Sequence, residues 1–227
     1  MTTAVILGAG GLGCPAALAL AEARLDLRLV IVDPDVVERS NLSRQILFGE
    51  ADVGLPKAEV AARRVGGEAR VARFDATTAD ALLEEADVLL DGTDDFETRF
   101  RANDEAVRRG LPLVHGAALG WTGQLVTILP GRTGCLRCLF EGPPPVGAVP
   151  TCAEAGVLSA LCGVVGAAMA HAALQVLRSA PDGGVLYRWD ARRGSCRTLP
   201  LRRDPSCAVC AAAASLGEKE LAPCPSP

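Results

Sequence analysis

The sequence predicts an α/β protein: a mostly parallel sheet with helices on both faces, extended by antiparallel strands towards the C-terminus. Three observations carry that prediction. Short aliphatic runs alternate with helical segments along the first two-thirds of the chain, the pattern of strand–helix–strand crossovers. The first run, "AVILG", passes straight into a glycine turn and the helical stretch "GLGCPAALALAEA". After residue 118 the alternation stops, and strands separated by turns and one long apolar segment take its place.

The elements follow in order. "LRLVIVD" reads as the second strand and ends at Asp33. "KAEVAARRV" is helical, "ARVARF" a short strand over 69–74, and "TADALLEEA" a helix. "DVLLDGT" is a strand, "FETRFRANDEAVRRG" the helix after it, and "LPLVHGA" a fifth strand. Short apolar runs bounded by turns and separated by helical segments indicate a parallel sheet with right-handed crossovers. Beyond them, "GQLVTILP" reads as a strand and "GCLRCLFEGPPPVGAVPTC" as a loop. "GVLYRWD" and "SCRTLPL" form a hairpin-like pair. A single domain is expected over residues 1–210, with a flexible tail over 211–227.

Composition narrows the function classes. With 49% hydrophobic residues in 227, the chain has enough apolar surface for a full core. A net charge of −4 and 4% aromatics argue against a nucleic-acid partner, which calls for a basic face or stacking rings. Nine cysteines follow a start, "MTTAVILG", without a basic leader, so the expectation is a cytoplasmic protein with reduced thiols. The stretch 155–177 is long enough to cross a membrane. It is rich in Ala and Gly and contains His171 and Gln175, so a helix buried in the core or at a subunit interface is expected, not a membrane anchor.

The glycine turn indicates a nucleotide. Gly8 allows a tight turn, Gly10 lets backbone approach a phosphate, and Gly13 lets helix and strand pack closely, with Gly11 in the same turn. Asp33 stands twenty residues after Gly13, where a carboxylate accepts hydrogen bonds from a ribose diol. This Rossmann-like arrangement serves NAD and ATP alike, so an NAD-dependent oxidoreductase is an alternative reading.

Side chains further on bear on the choice. Asn41, Arg44 and Gln45 cluster beyond Asp33, and Lys57 opens a helix. A triphosphate carries more charge than a pyrophosphate diester and calls for such cations. Each of them alone also reads as an ordinary surface charge. Asp91, Asp94 and Asp95 gather at the end of the fourth strand, where open α/β sheets bind ligands. Asp94 is the candidate for Mg²⁺, and Asp95 a candidate cap for the next helix.

Cys135 and Cys138 form one Cys-x-x-Cys pair, Cys207 and Cys210 another. Four thiolates suit a closed, structural Zn²⁺. A redox dithiol or an iron–sulfur cluster are the rivals. The first pair runs into a proline loop, whereas a redox dithiol is better served by a helix start. Of the other cysteines, Cys14 and Cys162 read as small core residues. Cys152 sits before a helix start, a place where a thiol's pKa is lowered, and is a candidate reactive residue.

The stretches "GAGGLG", "VDPDVVERSNLSRQ", "GLPKAE", "DGTDDFETRFRAND", "HGAALGWTGQ", "CLRCLF" and "CAEAGV" together resemble the ThiF/MoeB/HesA adenylyltransferases, relatives of ubiquitin-activating enzymes. The resemblance implies that Asp33 holds the ribose, that Asn41, Arg44 and Lys57 meet the phosphates of ATP, and that Asp94 holds Mg²⁺. It implies a structural Cys₄ zinc at the two knuckles. In some members a cysteine matching Cys152 takes part in sulfur transfer or in a covalent link to the carrier. The implied activity is adenylylation of the C-terminal glycine of a ubiquitin-like sulfur-carrier protein ending in Gly-Gly. A separate sulfur donor protein then makes the thiocarboxylate, in thiamine or molybdopterin synthesis or a related pathway. A homodimer is implied as well. His115 and His171 are expected to be structural. The chain departs from the pattern where Asp95 stands, at a position that is often Asn in the family, and no rhodanese-like domain is expected. Relatives also commonly carry an N-terminal segment whose arginine reaches the partner's ATP, whereas this chain begins at its first strand. A non-catalytic carrier-binding scaffold of the same fold is therefore a further alternative.

Overall fold

Strand β1 (Thr2–Leu7) leads through the glycine turn into helix α1 (Gly13–Ala21) and strand β2 (Leu27–Val32). Helix α2 (Lys57–Val65), strand β3 (Glu68–Arg70), helix α3 (Ala79–Leu83) and strand β4 (Val88–Asp91) follow. Helix α4 (Phe96–Arg109) then connects to strands β5 (Leu113–Leu119) and β6 (Thr122–Ile128). A single turn, α5 (Leu136–Leu139), and the long helix α6 (Ser159–Leu177) precede strands β7 (Val185–Asp190) and β8 (Ser195–Pro200). This computed structural model describes residues 1–23, 25–145, 148, 155–178, 181 and 183–211.

All eight strands join one sheet in the order β3-β2-β1-β4-β5-β6-β7-β8. β3 to β5 are parallel, and β6, β7 and β8 pair antiparallel from the β5 edge. Alternate residues serve two cores, because successive side chains in a strand point to opposite faces. Ala4, Ile6, Leu29, Ile31, Val88 and Leu90 pack under α1, α2 and α6. Val5, Leu7, Val30, Val32 and Leu89 pack under α3, α4 and α5. Helices therefore cover both faces, as the short apolar runs predict.

The composition of α6 has a packing reason. A Cβ on Gly166 would fall 2.4 Å from Pro15 Cγ and 2.5 Å from the Leu12 carbonyl, and one on Gly116 would fall 2.3 Å from Met169 Sδ. Small residues are what bring α6 against α1 and β5. By length and composition α6 could span a membrane, yet half of it is buried in these contacts.

Three boundaries differ from expectation. β3 stops at Arg70, because it pairs only with β2 and its last ladder partner is Val32. The expected loop after β6 contains α5, a turn closed by the Cys138 N–H donating to the Cys135 carbonyl at 3.0 Å. The long helix starts at Ser159: Gly156 adopts φ 69°, and Val157 bridges to Gly120 beyond β5. Residues 212–227, the bulk of the expected tail, lie outside the described residues.

Candidate functional site

β1 is the point at which the sheet reverses direction. The chain leaves β1 for β2 on one side, then crosses back to β4 on the other, and a crevice opens at the carboxyl ends of the two. A cavity of about 790 Å³ lies there, within the usual range for small-molecule sites.

The glycine turn forms its floor. Gly8 sits at φ 85°, and a Cβ on Gly13 would lie 1.8 Å from the Gly8 carbonyl oxygen, so no other residue fits at position 13. Gly10 and Gly11 line the cavity at the start of α1, where unpaired N–H groups and the helix dipole favour an anion.

Asp33, at the end of β2, is buried with its carboxylate anchored at both oxygens. The Ala9 N–H donates to Oδ2 at 2.7 Å and the Asp35 N–H to Oδ1 at 2.8 Å. Burial nevertheless raises its pKa above the ordinary carboxylate value, against the pull of these amides and of Lys57. A ribose diol donates more strongly to the ionised carboxylate than to the neutral acid. Nucleotide affinity is therefore expected to fall as the pH is lowered, starting above the ordinary carboxylate range, and calorimetric titration from neutral pH downwards checks it. An affinity that stays flat there would count against Asp33 as the ribose acceptor.

Lys57 opens α2, only 8% exposed, and its Nζ lies 3.0 Å from Asp35 Oδ2. Sequence reasoning identified Lys57 but not its partner Asp35. Arg44 lays its stem against Gly11, and its Nη1 donates to the Ser40 carbonyl at 3.2 Å. Asn41 is buried in a 3₁₀ turn (Arg39–Asn41), and its Oδ1 accepts from the Glu38 N–H at 3.3 Å. Gln45 lines the same wall, 4% exposed, with Oε1 unpartnered among the described residues.

The opposite wall comes from the β4–α4 connection. Asp94 faces the cavity and makes no hydrogen bond or ion pair among the described residues. An unneutralised carboxylate beside a phosphate-sized space is a donor set that fits Mg²⁺ shared with a nucleotide. Asp95 caps α4, accepting from the Thr98 N–H at 2.8 Å. Asp91 is fully buried under this connection, and His115 Nδ1 lies 2.8 Å from its Oδ2. Burial pushes the Asp91 carboxyl up, but the hydrogen bond and charge of His115, with Arg99 and Thr93, outweigh it and hold the group below its ordinary value. Arg99 and Phe74 also line the cavity. They were not singled out in the sequence because nothing local distinguishes them from other helix and strand residues.

The four knuckle cysteines converge 72 residues apart in sequence. Cys135 Sγ and Cys207 Sγ are 3.7 Å apart, Cys138 Sγ and Cys210 Sγ 3.4 Å. All four sulfurs lie within 4.8 Å of one another. Zn–S bonds of about 2.3 Å in a tetrahedron require S···S separations of roughly 3.8 Å, so the cluster fits zinc with little adjustment. Burial pushes the Cys14 thiol up to about 12, which agrees with an inert core residue. Cys162 is buried, its Sγ 3.1 Å from where a Gly11 Cβ would be. Cys152 lies outside the described residues.

A profile of the ThiF family matches residues 1–209. The SAMP-activating enzyme E1 of Haloferax volcanii is 44% identical over 216 residues, covering 91% of this chain and 79% of its own. The sulfur carrier protein adenylyltransferase of Thermus thermophilus is 44% identical over 220 residues, covering 91% and 81%. The adenylyltransferase and sulfurtransferase MOCS3 of Anopheles gambiae is 42% identical over 223 residues, and the match spans 50% of that longer protein. Among solved structures, E. coli MccB with ATP superposes with a TM-score of 0.81 at 22% identity, over 92% of this chain and 67% of its own, a likeness of fold. The chain belongs to the ThiF family.

Proposed function

We propose that this chain is an adenylyltransferase that uses ATP to activate the C-terminal glycine carboxylate of a ubiquitin-like sulfur-carrier protein. One observation carries the reading beyond family membership. A single cavity collects a buried ribose acceptor (Asp33), the side-chain cations Arg44 and Lys57, and a carboxylate without a partner among the described residues (Asp94). Hydride transfer from NAD would give Arg44, Lys57 and Asp94 nothing to do.

The reaction sets one anion against another. A carboxylate oxygen of the carrier attacks the α-phosphorus, an O–P bond forms, and the α–β phosphoanhydride bond breaks to release pyrophosphate. The nucleophile is already ionised, so no general base is required. Positioning and charge neutralisation supply the rate. The amides of Gly10 and Gly11 receive the phosphates, Asp33 fixes the ribose, and Asn41 donates to a phosphate oxygen. Arg44 and Lys57 neutralise charge on the phosphate chain, with Lys57 exchanging Asp35 for the nucleotide. Asp94 would hold a Mg²⁺, which would supply further neutralisation of the departing pyrophosphate. Cys135, Cys138, Cys207 and Cys210 would hold a structural zinc. Cys152 is a candidate for later sulfur chemistry only.

Residues 1–210 act as one adenylation domain in this reading, followed by a short tail. Trp121, 45% exposed at the β5–β6 turn, offers the carrier an apolar contact beside the cavity wall formed by Ala118 and Val157. Val164 of α6 and Leu18 of α1 remain exposed, as a homodimer interface would use them. A separate protein donates sulfur, in molybdopterin or thiamine synthesis or a related thiolation, and the cytoplasm keeps the zinc thiolates reduced.

ATP–pyrophosphate exchange with a panel of carriers ending in Gly-Gly tests the proposal. Exchange that depends on one carrier and is lost in Asp94→Ala is expected. ATP binding without exchange for any carrier would favour the non-catalytic scaffold.

A further inference from the structure

We infer that Thr93, gripped between Asp91 and Arg99, is the positioning residue that presents Asp94 to the metal–nucleotide complex. The inference rests on Asp94 being the magnesium ligand in the function proposed above.

The β4–α4 connection is short, exposed in part, and has to aim one carboxylate. Every polar group of Thr93 is engaged. Its N–H and its hydroxyl both donate to Asp91 Oδ1, at 3.0 and 2.7 Å. Its carbonyl accepts from Arg99 Nε at 3.0 Å and Nη2 at 2.8 Å. Asp91 is itself fully buried at the end of β4, with its second oxygen on His115 Nδ1 at 2.8 Å. Arg99 stands in the first turn of α4, stacked over the Phe96 ring at 5.2 Å. On the other side of Asp94, Asp95 is fixed as the cap of α4. The preceding Gly92 packs on the glycine turn, its carbonyl 3.3 Å from where a Gly8 Cβ would be.

The residues flanking Asp94 are thus anchored to the sheet, to the glycine turn and to α4. Asp94 alone in this stretch has no partner among the described residues. A ligand carried on an unrestrained loop pays its ordering cost when the metal binds, whereas a restrained one does not. Here the restraint comes from a buried carboxylate and a forked guanidinium, both of which make stronger hydrogen bonds than neutral groups do. Nothing in the Asp-x-x-Asp spacing of the sequence distinguishes the anchoring Asp91 from the free Asp94.

The test is Mn²⁺ affinity, read by electron paramagnetic resonance, with a non-hydrolysable α,β-methylene ATP analogue bound so that turnover plays no part. Asp94→Ala serves as the reference variant. Thr93→Val keeps the side-chain volume and removes the hydroxyl, Thr93→Ser restores it, and Arg99→Gln removes the fork. Thr93→Val and Arg99→Gln should each weaken Mn²⁺ by about three- to tenfold, as expected for one or two lost hydrogen bonds. Metal-free affinity for the analogue should be unchanged in Thr93→Val, and Thr93→Ser should recover the wild-type value. Should Arg99→Gln fail to fold, the valine–serine pair decides the matter. Wild-type Mn²⁺ affinity in Thr93→Val alongside a loss in Asp94→Ala overturns the positioning role while leaving the functional reading intact. Wild-type affinity in Asp94→Ala overturns both.

Discussion

Lys57→Ala is expected to lose ATP–pyrophosphate exchange by roughly 10²–10³-fold, the usual effect of removing one preorganised charge stabiliser from a water-poor site. Lys57 is buried at the first position of α2, with its ammonium aimed into the cavity and held by Asp35. It therefore pays little reorganisation when phosphates replace Asp35. The substitution should spare the fold, because the Asp35 side chain is 63% exposed and is resolvated when its partner goes. Lys57→Arg should rescue poorly: a planar guanidinium does not occupy the space of a compact ammonium. Exchange within threefold of wild type in Lys57→Ala, with a wild-type melting curve, would remove Lys57 from the chemistry.

Stripping the Cys₄ cluster is expected to lower the melting temperature by about 8–16 °C. The two sulfur pairs close a chain loop of 72 residues. The chain-entropy relation for cross-links assigns about 4 kcal/mol to a loop of that length, and each kcal/mol moves the transition by roughly 2–4 °C in a protein of this size. The knuckle also holds α4 in place. The Leu136 N–H donates to the fully buried Asn103 at 2.8 Å, and Arg137 makes a forked contact with Asp104. Loss of metal should thus loosen the helix that carries Arg99. Calorimetric melting before and after chelation, and of Cys207→Ser, measures the effect. A melting temperature unmoved by complete metal removal, verified by elemental analysis, would refute a structural zinc.

Much of the fold was legible in the sequence because its signals are local. Apolar runs of strand length gave the buried strands, and α2 runs over Lys57–Val65 as its pattern predicts. Gly8, Gly10, Gly13 and Asp33 were readable because the turn forces its residue types: position 13 tolerates no Cβ. The knuckle cysteines were readable because two Cys-x-x-Cys pairs are the spacing of metal-binding knuckles. Edges were less legible. β3 ends where pairing with β2 ends, and α6 begins where Gly120 releases the chain, both being matters of what lies alongside.

The sequence by itself determined the α/β class, the nucleotide turn and the four thiols, since each depends on periodicity or spacing along the chain. Only the tertiary structure decided which strands adjoin, and thus that the glycine turn and the Asp91–Asp95 connection face one cavity. It likewise decided that Lys57 meets Asp35 and that His115 meets Asp91, while Asp94 has no partner among the described residues. The physical reason is the same in each case. Charges and hydrogen-bond partners act through space over a few ångströms, and residues 22 to 24 apart come within that range only once the sheet has formed.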